Sequence, residues 1–204
     1  LRIGGFGGVA GLAAYLARER IDAVVDATHP FASRMSANAV AACRAAGAPL
    51  AVFTRPPWTR EPGDRWVEVA TTEDAAEALG AKPRTAFLTQ GRLQLAAFAR
   101  MAQHRYLVRA IDRPAEIDAL PNSKLILARG PFSLADELAL MKREQVEALV
   151  TKNSGGGATY AKIEAARQLG IEVVMVRRPP APEAPTVFSL DEAAAWIRAR
   201  RDGP

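Results

Sequence analysis

The sequence predicts an α/β protein of two Rossmann-like domains whose parallel sheets face a shared cleft. Three observations predict it. Short apolar runs alternate with helical patterns along the chain, an order that calls for parallel strands with helices on both faces. A length of 204 residues accommodates one large domain or two small ones, at about 150 residues per domain. The chain also repeats itself. Residues 22–57 and 147–180 both run strand, polar loop, alanine-rich helix with a glycine stop, strand, Arg-Pro-Pro. Similar tails follow, VATTEDAAEAL and VFSLDEAAAWI. A period of about 125 residues is too long for a solenoid. It reads either as a duplicated domain or as the general likeness of βαβ units. The expected domains are residues 1–78 and 83–204, joined near residues 72–82.

The elements follow in order. Gly4-Gly5-Phe6-Gly7-Gly8 leads into a helix with Val9, Leu12 and Leu16 on one face. Such a loop normally follows a strand, and only Leu1-Arg2-Ile3 precedes it. A first βα unit is therefore expected to be missing from the N-terminal domain, leaving its sheet incomplete. Residues 22–27 (DAVVDA) form a short apolar run, hence a buried strand. Residues 33–46 form a helix stopped by Gly47. Residues 50–54 form a strand closed by Arg55-Pro56-Pro57. Residues 65–69 are a shorter strand, after which Thr72 caps a helix through residue 79. Next come a strand at 84–89, a helix at 92–103, and strands at 105–110 and 124–128. A helix at 133–143 and a strand at 148–151 follow, then a helix from 157 to 169 ending at Gly170. Residues 172–176 are a strand closed by Arg178-Pro179-Pro180, and residues 190–200 are the last helix.

Composition narrows the function. No run approaches the roughly 20 apolar residues of a membrane span. One cysteine, Cys43, excludes a disulfide framework and a cysteine-based metal site; it is read as a packed thiol, and no metal site is expected. With no signal peptide visible, a cytoplasmic location is expected. The 27 basic residues outnumber 22 acidic ones, net +5, which favours anionic partners. Nucleic acid is not expected, because no nucleic-acid motif appears. His104 is expected at the surface.

In open α/β sheets ligands sit beyond the C-terminal strand ends. The repeat puts two polar loops there, Asp26-Ala27-Thr28-His29-Pro30-Phe31-Ala32 and Thr151-Lys152-Asn153-Ser154-Gly155-Gly156-Gly157. Each precedes a helix N-terminus, where backbone N–H groups and the helix dipole favour anions. The loops 89–91 and 129–132 join them. Gly5-Phe6-Gly7-Gly8-Val9-Ala10 also fits G-x-G-x-x-A, with Asp26 nineteen residues after Gly7. This reads either as a dinucleotide fingerprint with its ribose carboxylate or as a tight helix–loop contact that needs small residues.

The combination GGFGG, VVDATHPFA, RPPW, RGPF with Glu137, TKNSGG with Lys162, and RRP resembles the precorrin-6A reductase family of cobalamin biosynthesis. The likeness runs from Arg2 to about Pro179. It implies two Rossmann-like domains and NADPH-dependent reduction of a methylated tetrapyrrole, precorrin-6A, to precorrin-6B. A close branch acts on the cobalt-containing analogue, and that activity or a non-catalytic NAD(P)-binding module are the alternatives. Family members begin with a strand and a Gly-Gly-Thr loop that this chain lacks.

On this resemblance the N-terminal domain takes the cofactor and the C-terminal domain the polycarboxylate tetrapyrrole. Gly4, Gly5, Phe6, Gly7, Gly8, Asp26, Thr28 and His29 are the expected cofactor residues. Arg55, Trp58, Arg129, Lys152, Asn153, Ser154, Gly155 and Lys162 are the expected substrate residues, with Arg109 and Arg178 near strand ends. His29 and Lys152 are the catalytic candidates. His29 either donates a proton, bonds the cofactor or braces its turn. Lys152 either binds an anion or serves as an acid. Trp58 either stacks on the substrate or packs, and Lys162 either forms a salt bridge or meets a carboxylate. The resemblance leaves the proton donor and the oligomeric state open.

Overall fold

The computed structural model describes residues 3–91 and 94–201. Leu1 and Arg2, which precede the glycine loop, and the start of the helix expected at residue 92 lie outside the described residues, and Ile3 is exposed and outside any strand. In chain order the elements are α1 (Gly8–Arg18), β1 (Val24–Asp26), α2 (Ser33–Ala46), β2 (Leu50–Phe53), β3 (Trp66–Val69), α3 (Thr72–Glu77), β4 (Thr85–Leu88), α4 (Ala96–Ala99) and β5 (Arg105–Ala110). There follow a 3-10 turn (Ala115–Ala119), β6 (Ser123–Leu127), α5 (Leu134–Arg143), β7 (Ala148–Lys152), α6 (Ala161–Gln168), β8 (Glu172–Val176), β9 (Thr186–Val187) and α7 (Leu190–Arg201). The α/β class with parallel sheets is as the sequence predicts.

The chain forms two compact units, and their division corrects the expected boundary. One unit is Leu1–Pro56 with Pro179–Pro204, the other Pro57–Arg178. Both passages between units fall in the two Arg-Pro-Pro segments, not near residues 72–82. Proline has no N–H for a ladder and holds the chain extended, so these segments end the strands before them and carry the chain onward. Each tail then pairs in the sheet of the other unit. β3, expected in the N-terminal domain, lies parallel to β8, Trp66 opposite Val173. β9 lies parallel to β2, Val52 opposite Thr186.

The first unit holds the sheet β1-β2-β9. Its helices α1 and α2 bury Leu16, Ala42 and Cys43 against Leu12, Ile21, Val24 and Leu50. The Cys43 thiol is pushed up by burial and by the charge of Asp26, so it stays protonated, as a packed thiol should. Gly47 ends α2 in the left-handed region, φ 69°. There glycine escapes the Cβ clash, and the amide of Ala48 reaches back to the Cys43 carbonyl at 3.0 Å.

The second unit holds six parallel strands in the order β3-β8-β7-β4-β5-β6. The central strands TAFL and ALVT are buried almost throughout, as expected of strands covered on both faces. Phe87, Leu107, Met141, Leu149, Ile163 and Met175 form the core. Some elements differ locally from those predicted. Thr71, not Thr72, caps α3 through a capping box with Asp74, and Thr72 is buried in its first turn. The helix expected over 92–103 is the single turn Ala96–Ala99 among the described residues, and the Tyr106 hydroxyl stands 3.0 and 2.8 Å from the carbonyls of Phe98 and Met101. α6 starts at Ala161, four residues later than expected, after a turn at 158–160 that follows Gly155 and Gly156 with φ of 67° and 73°. His104 is fully buried; its Nδ1 accepts the Arg84 amide at 3.2 Å, and burial lowers its pKa.

Candidate active site

In the second unit the chain winds outward from β4 through β5 to β6, then crosses over to β7 and winds the other way. The order reverses between β4 and β7, and the crevice beyond their C-terminal ends is where such sheets bind ligands. The loop 152–157 emerges there. Its shape is held by side chains rather than by a ladder. The Asn153 amide bonds the Trp58 main chain twice, accepting from its N–H at 2.8 Å and donating to its carbonyl at 2.9 Å. The Trp58 indole N–H donates to the Gly156 carbonyl at 2.8 Å. Arg178 donates to the carbonyls of Asn153 and Ser154 at 2.9 and 3.0 Å.

These bonds sort the expected substrate residues. Lys152, Asn153, Ser154 and Gly155 share one braced loop, in which Asn153 and Gly155 are buried and Lys152 and Ser154 half-buried. Burial pushes the Lys152 ammonium below its usual pKa, which makes it a readier proton donor. Arg129 is exposed on the loop after β6. Trp58 is 8% exposed, with its ring against Tyr160 at 6.0 Å; it packs rather than offering a face to a ligand. Arg55 is exposed just beyond β2, in the first unit.

Beneath the loops lies a buried cluster of charges that residue spacing did not announce. Arg109 on β5 stands 2.7 Å from Glu137 on α5. Its guanidinium lies 3.7 Å from the centre of the Phe132 ring and 4.9 Å from that of Phe87. Arg109 is thus a core ion pair that carries the 129–132 loop, not an exposed carboxylate ligand. Lys162 on α6 is 4% exposed, its ammonium 5.5 Å from the Trp58 ring. Its pKa is pushed down to about 7, first by burial and then by Arg109, with Glu137 opposing.

Lys162 makes stability depend on pH. An unfolded lysine titrates near ~10.4, so between pH 7 and 10 the unfolded chain binds a proton that the folded chain has released. Stability therefore rises with pH through this window, by at most about 1.4 kcal/mol per unit. Urea unfolding of the wild type and of Lys162→Met at pH 7 and pH 9 is expected to show the wild type gaining about 2 kcal/mol over the variant. Parallel pH profiles would place the Lys162 charge in solvent.

The first unit presents the expected cofactor residues. Gly7 adopts φ 85° before α1. A Cβ on Gly11 would meet the Phe6 carbonyl oxygen at 1.9 Å, so the loop lies directly on its helix and only glycine fits at position 11. Phe6 packs on Tyr15 with ring centres 5.0 Å apart. Asp26 ends β1 nearly buried; its Oδ1 accepts the Thr28 amide at 3.0 Å, while Oδ2, itself buried, has no hydrogen-bond partner among the described residues. Thr28 meets Ser36 hydroxyl to hydroxyl at 3.3 Å. His29 is exposed, and its Nδ1 accepts the Phe31 amide at 3.2 Å, which puts the proton of the neutral ring on Nε2.

A phosphate-bearing nucleotide fits this surface. Neither α1 nor α2 has a side-chain cap or an acidic residue in its first turn, so anion-binding N–H groups remain at both starts. The Cβ positions of Gly4, Gly5 and Gly8 face open space.

Residues 1–198 match the family described as precorrin-6x reductase CbiJ/CobK. This chain belongs to the precorrin-6x reductase family. The precorrin-6A reductase of Rhodococcus erythropolis is 50% identical over 97% of this chain and 79% of its own length. That of Mycobacterium tuberculosis is 47% identical over 97% and 80%. The cobalt-precorrin-6A reductase of Priestia megaterium is 33% identical over 84% and 71%. A solved CobK precorrin-6A reductase matches with a TM-score of 0.95 and 43% identity, covering all of this chain and 83% of the other. As a reductase of this family the chain implies a nicotinamide cofactor. No helix of the described residues is long and apolar enough to cross a membrane. Among the described residues no group of three His, Cys, Asp or Glu is placed to hold a metal.

Sequence reasoning missed two functional supports in this precorrin-6x reductase. Asn153 was expected to touch substrate, and the structure gives its amide to Trp58. Arg178 was expected to meet carboxylates, and two of its bonds go to the loop. The signal for both was their neighbourhood: Trp58 directly follows the first Arg-Pro-Pro, and Arg178 opens the second.

Proposed function

We propose that this chain reduces the macrocycle of precorrin-6A to precorrin-6B in the cytoplasm, with NADPH as reductant. The observation that carries the reading is the braced loop 152–157 at the strand-order reversal, with Lys152 held part-buried in it. A polycarboxylate needs cations fixed in place, since a preorganised cation loses less side-chain entropy on binding. The relatives named for the cobalt-free substrate stand at 44–50% identity and those named for the cobalt form at 26–33%. This favours the substrate without metal.

The roles divide between the units. In the first, Gly4, Gly5, Phe6, Gly7 and Gly8 hold cofactor phosphate on the start of α1, and Asp26, Thr28 and His29 hold the sugar and its neighbouring groups. The bound nicotinamide supplies a hydride. In the second, Lys152 and Arg129 hold substrate carboxylates, and Asn153, Ser154 and Gly155 hold Lys152 in place. Arg55 contributes a further cation from the first unit. Trp58 and Lys162 act from beneath, keeping the loop in shape. The proton that completes the reduction comes from Lys152, whose lowered pKa suits release, or from His29 through Nε2–H.

Purified protein mixed anaerobically with precorrin-6A and NADPH is expected to oxidise one NADPH per macrocycle, with loss of the substrate absorption. NADH and cobalt-precorrin-6A are expected to react more slowly. Equal or faster turnover of the cobalt form would move the chain to the other branch. No cofactor oxidation with either macrocycle would overturn the reading.

A further inference from the structure

We propose that Gln90 is a substrate-recognition residue, its side-chain amide donating a hydrogen bond to an oxygen of the bound tetrapyrrole. This rests on the function proposed above. The reversal of strand order puts two loops at the crevice, 152–157 after β7 and 89–91 after β4, and only the first carries obvious chemistry.

The second loop is fixed as firmly. The Thr89 amide donates to the Val150 carbonyl at 3.0 Å, and the Thr89 hydroxyl donates to the same oxygen at 3.2 Å. Gln90 is then 8% exposed. One end of its amide is occupied, since Oε1 accepts from the buried Thr72 hydroxyl at 3.2 Å. The other end, Nε2, is buried and has no hydrogen-bond partner among the described residues. Exchanging the two ends of the amide would only move the vacancy to the oxygen. A few residues on, the buried Gln94 Oε1 also has no partner.

An unmade hydrogen bond on a buried donor is costly, and nearly all such groups in folded proteins are satisfied. The bond from Thr72 accounts for the oxygen of this amide and leaves its buried nitrogen without a structural role. The position also has room beside it. Gly91 follows with φ 87°, and a Cβ there would meet nothing within 4 Å. A fixed amide, held at one end, buried and unpaired at the other and followed by open space at Gly91, is a donor that an acceptor-rich ligand at the strand-order reversal would satisfy. The substrate proposed here is lined with carboxylate oxygens.

The test compares wild type with Gln90→Met and Gln90→Glu, using thermal unfolding of the free protein and steady-state kinetics with precorrin-6A and NADPH. Gln90→Met is expected to unfold near the wild-type temperature, because losing the unpaired donor and losing the acceptor of the Thr72 hydroxyl act in opposite directions. Its KM for precorrin-6A should rise roughly five- to tenfold, and its KM for NADPH should stay unchanged. Gln90→Glu places an anion against substrate carboxylates and should raise the precorrin-6A KM further. A lowered melting temperature with unchanged KM would make Gln90 structural and overturn the inference. A change confined to the NADPH KM would overturn it as well, by moving the residue to the cofactor. A wild-type protein inactive on precorrin-6A would fail the functional reading itself, and that is established before any variant is compared.

Discussion

Arg109→Ala is expected to lower the free energy of unfolding by about 3–5 kcal/mol, the usual cost of leaving one member of a buried ion pair alone. The geometry supports the upper part of that range. Arg109 and Glu137 have side chains 7% and 1% exposed and stand 2.7 Å apart, so water cannot replace the lost partner. The guanidinium carbon also lies 3.7 Å from the centre of the Phe132 ring, and its removal takes away that contact with the 129–132 loop. Urea unfolding of the whole chain measures the loss. Glu137→Ala should cost a similar amount, since it leaves the buried Arg109 guanidinium without its anion. The double variant Arg109→Met with Glu137→Leu should recover most of the stability, because a buried pair often does no better than apolar residues of like volume. A single variant costing under about 1 kcal/mol would place the pair in the class of exposed bridges. The double variant would still lack the stacked cation on Phe132, so its KM for precorrin-6A should remain raised when its stability is restored.

How much of this was legible follows from what each feature depends on. β4, β5, β7 and β8 were readable because an apolar run between turn residues is a local signal. The loops 26–32 and 152–157 were readable for the same reason, as polar stretches placed between a strand and a helix. The partners of β3 and β9 were not. Both tails follow an apolar strand and an Arg-Pro-Pro, so nothing local tells residues 66–69 to pair with β8 or residues 186–187 to pair with β2. That choice is made by chain paths over a hundred residues long. The charge cluster was hidden differently. Arg109, Glu137 and Lys162 each look like an ordinary charged residue of a strand end or helix. The one hint was that Lys162 sits with Ile163, Ala165 and Ala166, all buried on α6. Glu137 was noticed after RGPF without a role. His104 was misplaced because its ring serves the Arg84 amide, a contact twenty residues away that no pattern displays.

Lys152→Ala is expected to weaken precorrin-6A binding by roughly ten- to a hundredfold, the equivalent of about 1.5–3 kcal/mol for one charge-assisted hydrogen bond. The argument starts from β7, whose last residue is Lys152 itself. The strand is buried up to Thr151, and the next residue, Asn153, is locked to Trp58. The lysine backbone is therefore held on both sides, and its side chain needs little ordering when a carboxylate arrives. Removing it leaves the braces untouched, so the melting temperature should change little. Lys152→Arg should restore much of the affinity for a carboxylate but not a proton-donating role, since guanidinium holds its proton throughout the accessible pH range. The pair of variants thus separates the two tasks. If Lys152 only binds, Lys152→Arg returns both KM and kcat toward wild type. If it also hands over the proton, Lys152→Arg recovers KM while kcat stays low and loses its dependence on pH. NADPH affinity should hold in both variants, because the proposed phosphate site on Gly4–Gly8 belongs to the other unit. A loss confined to NADPH would reassign Lys152 to the cofactor, and unchanged affinity for both ligands would remove it from the site.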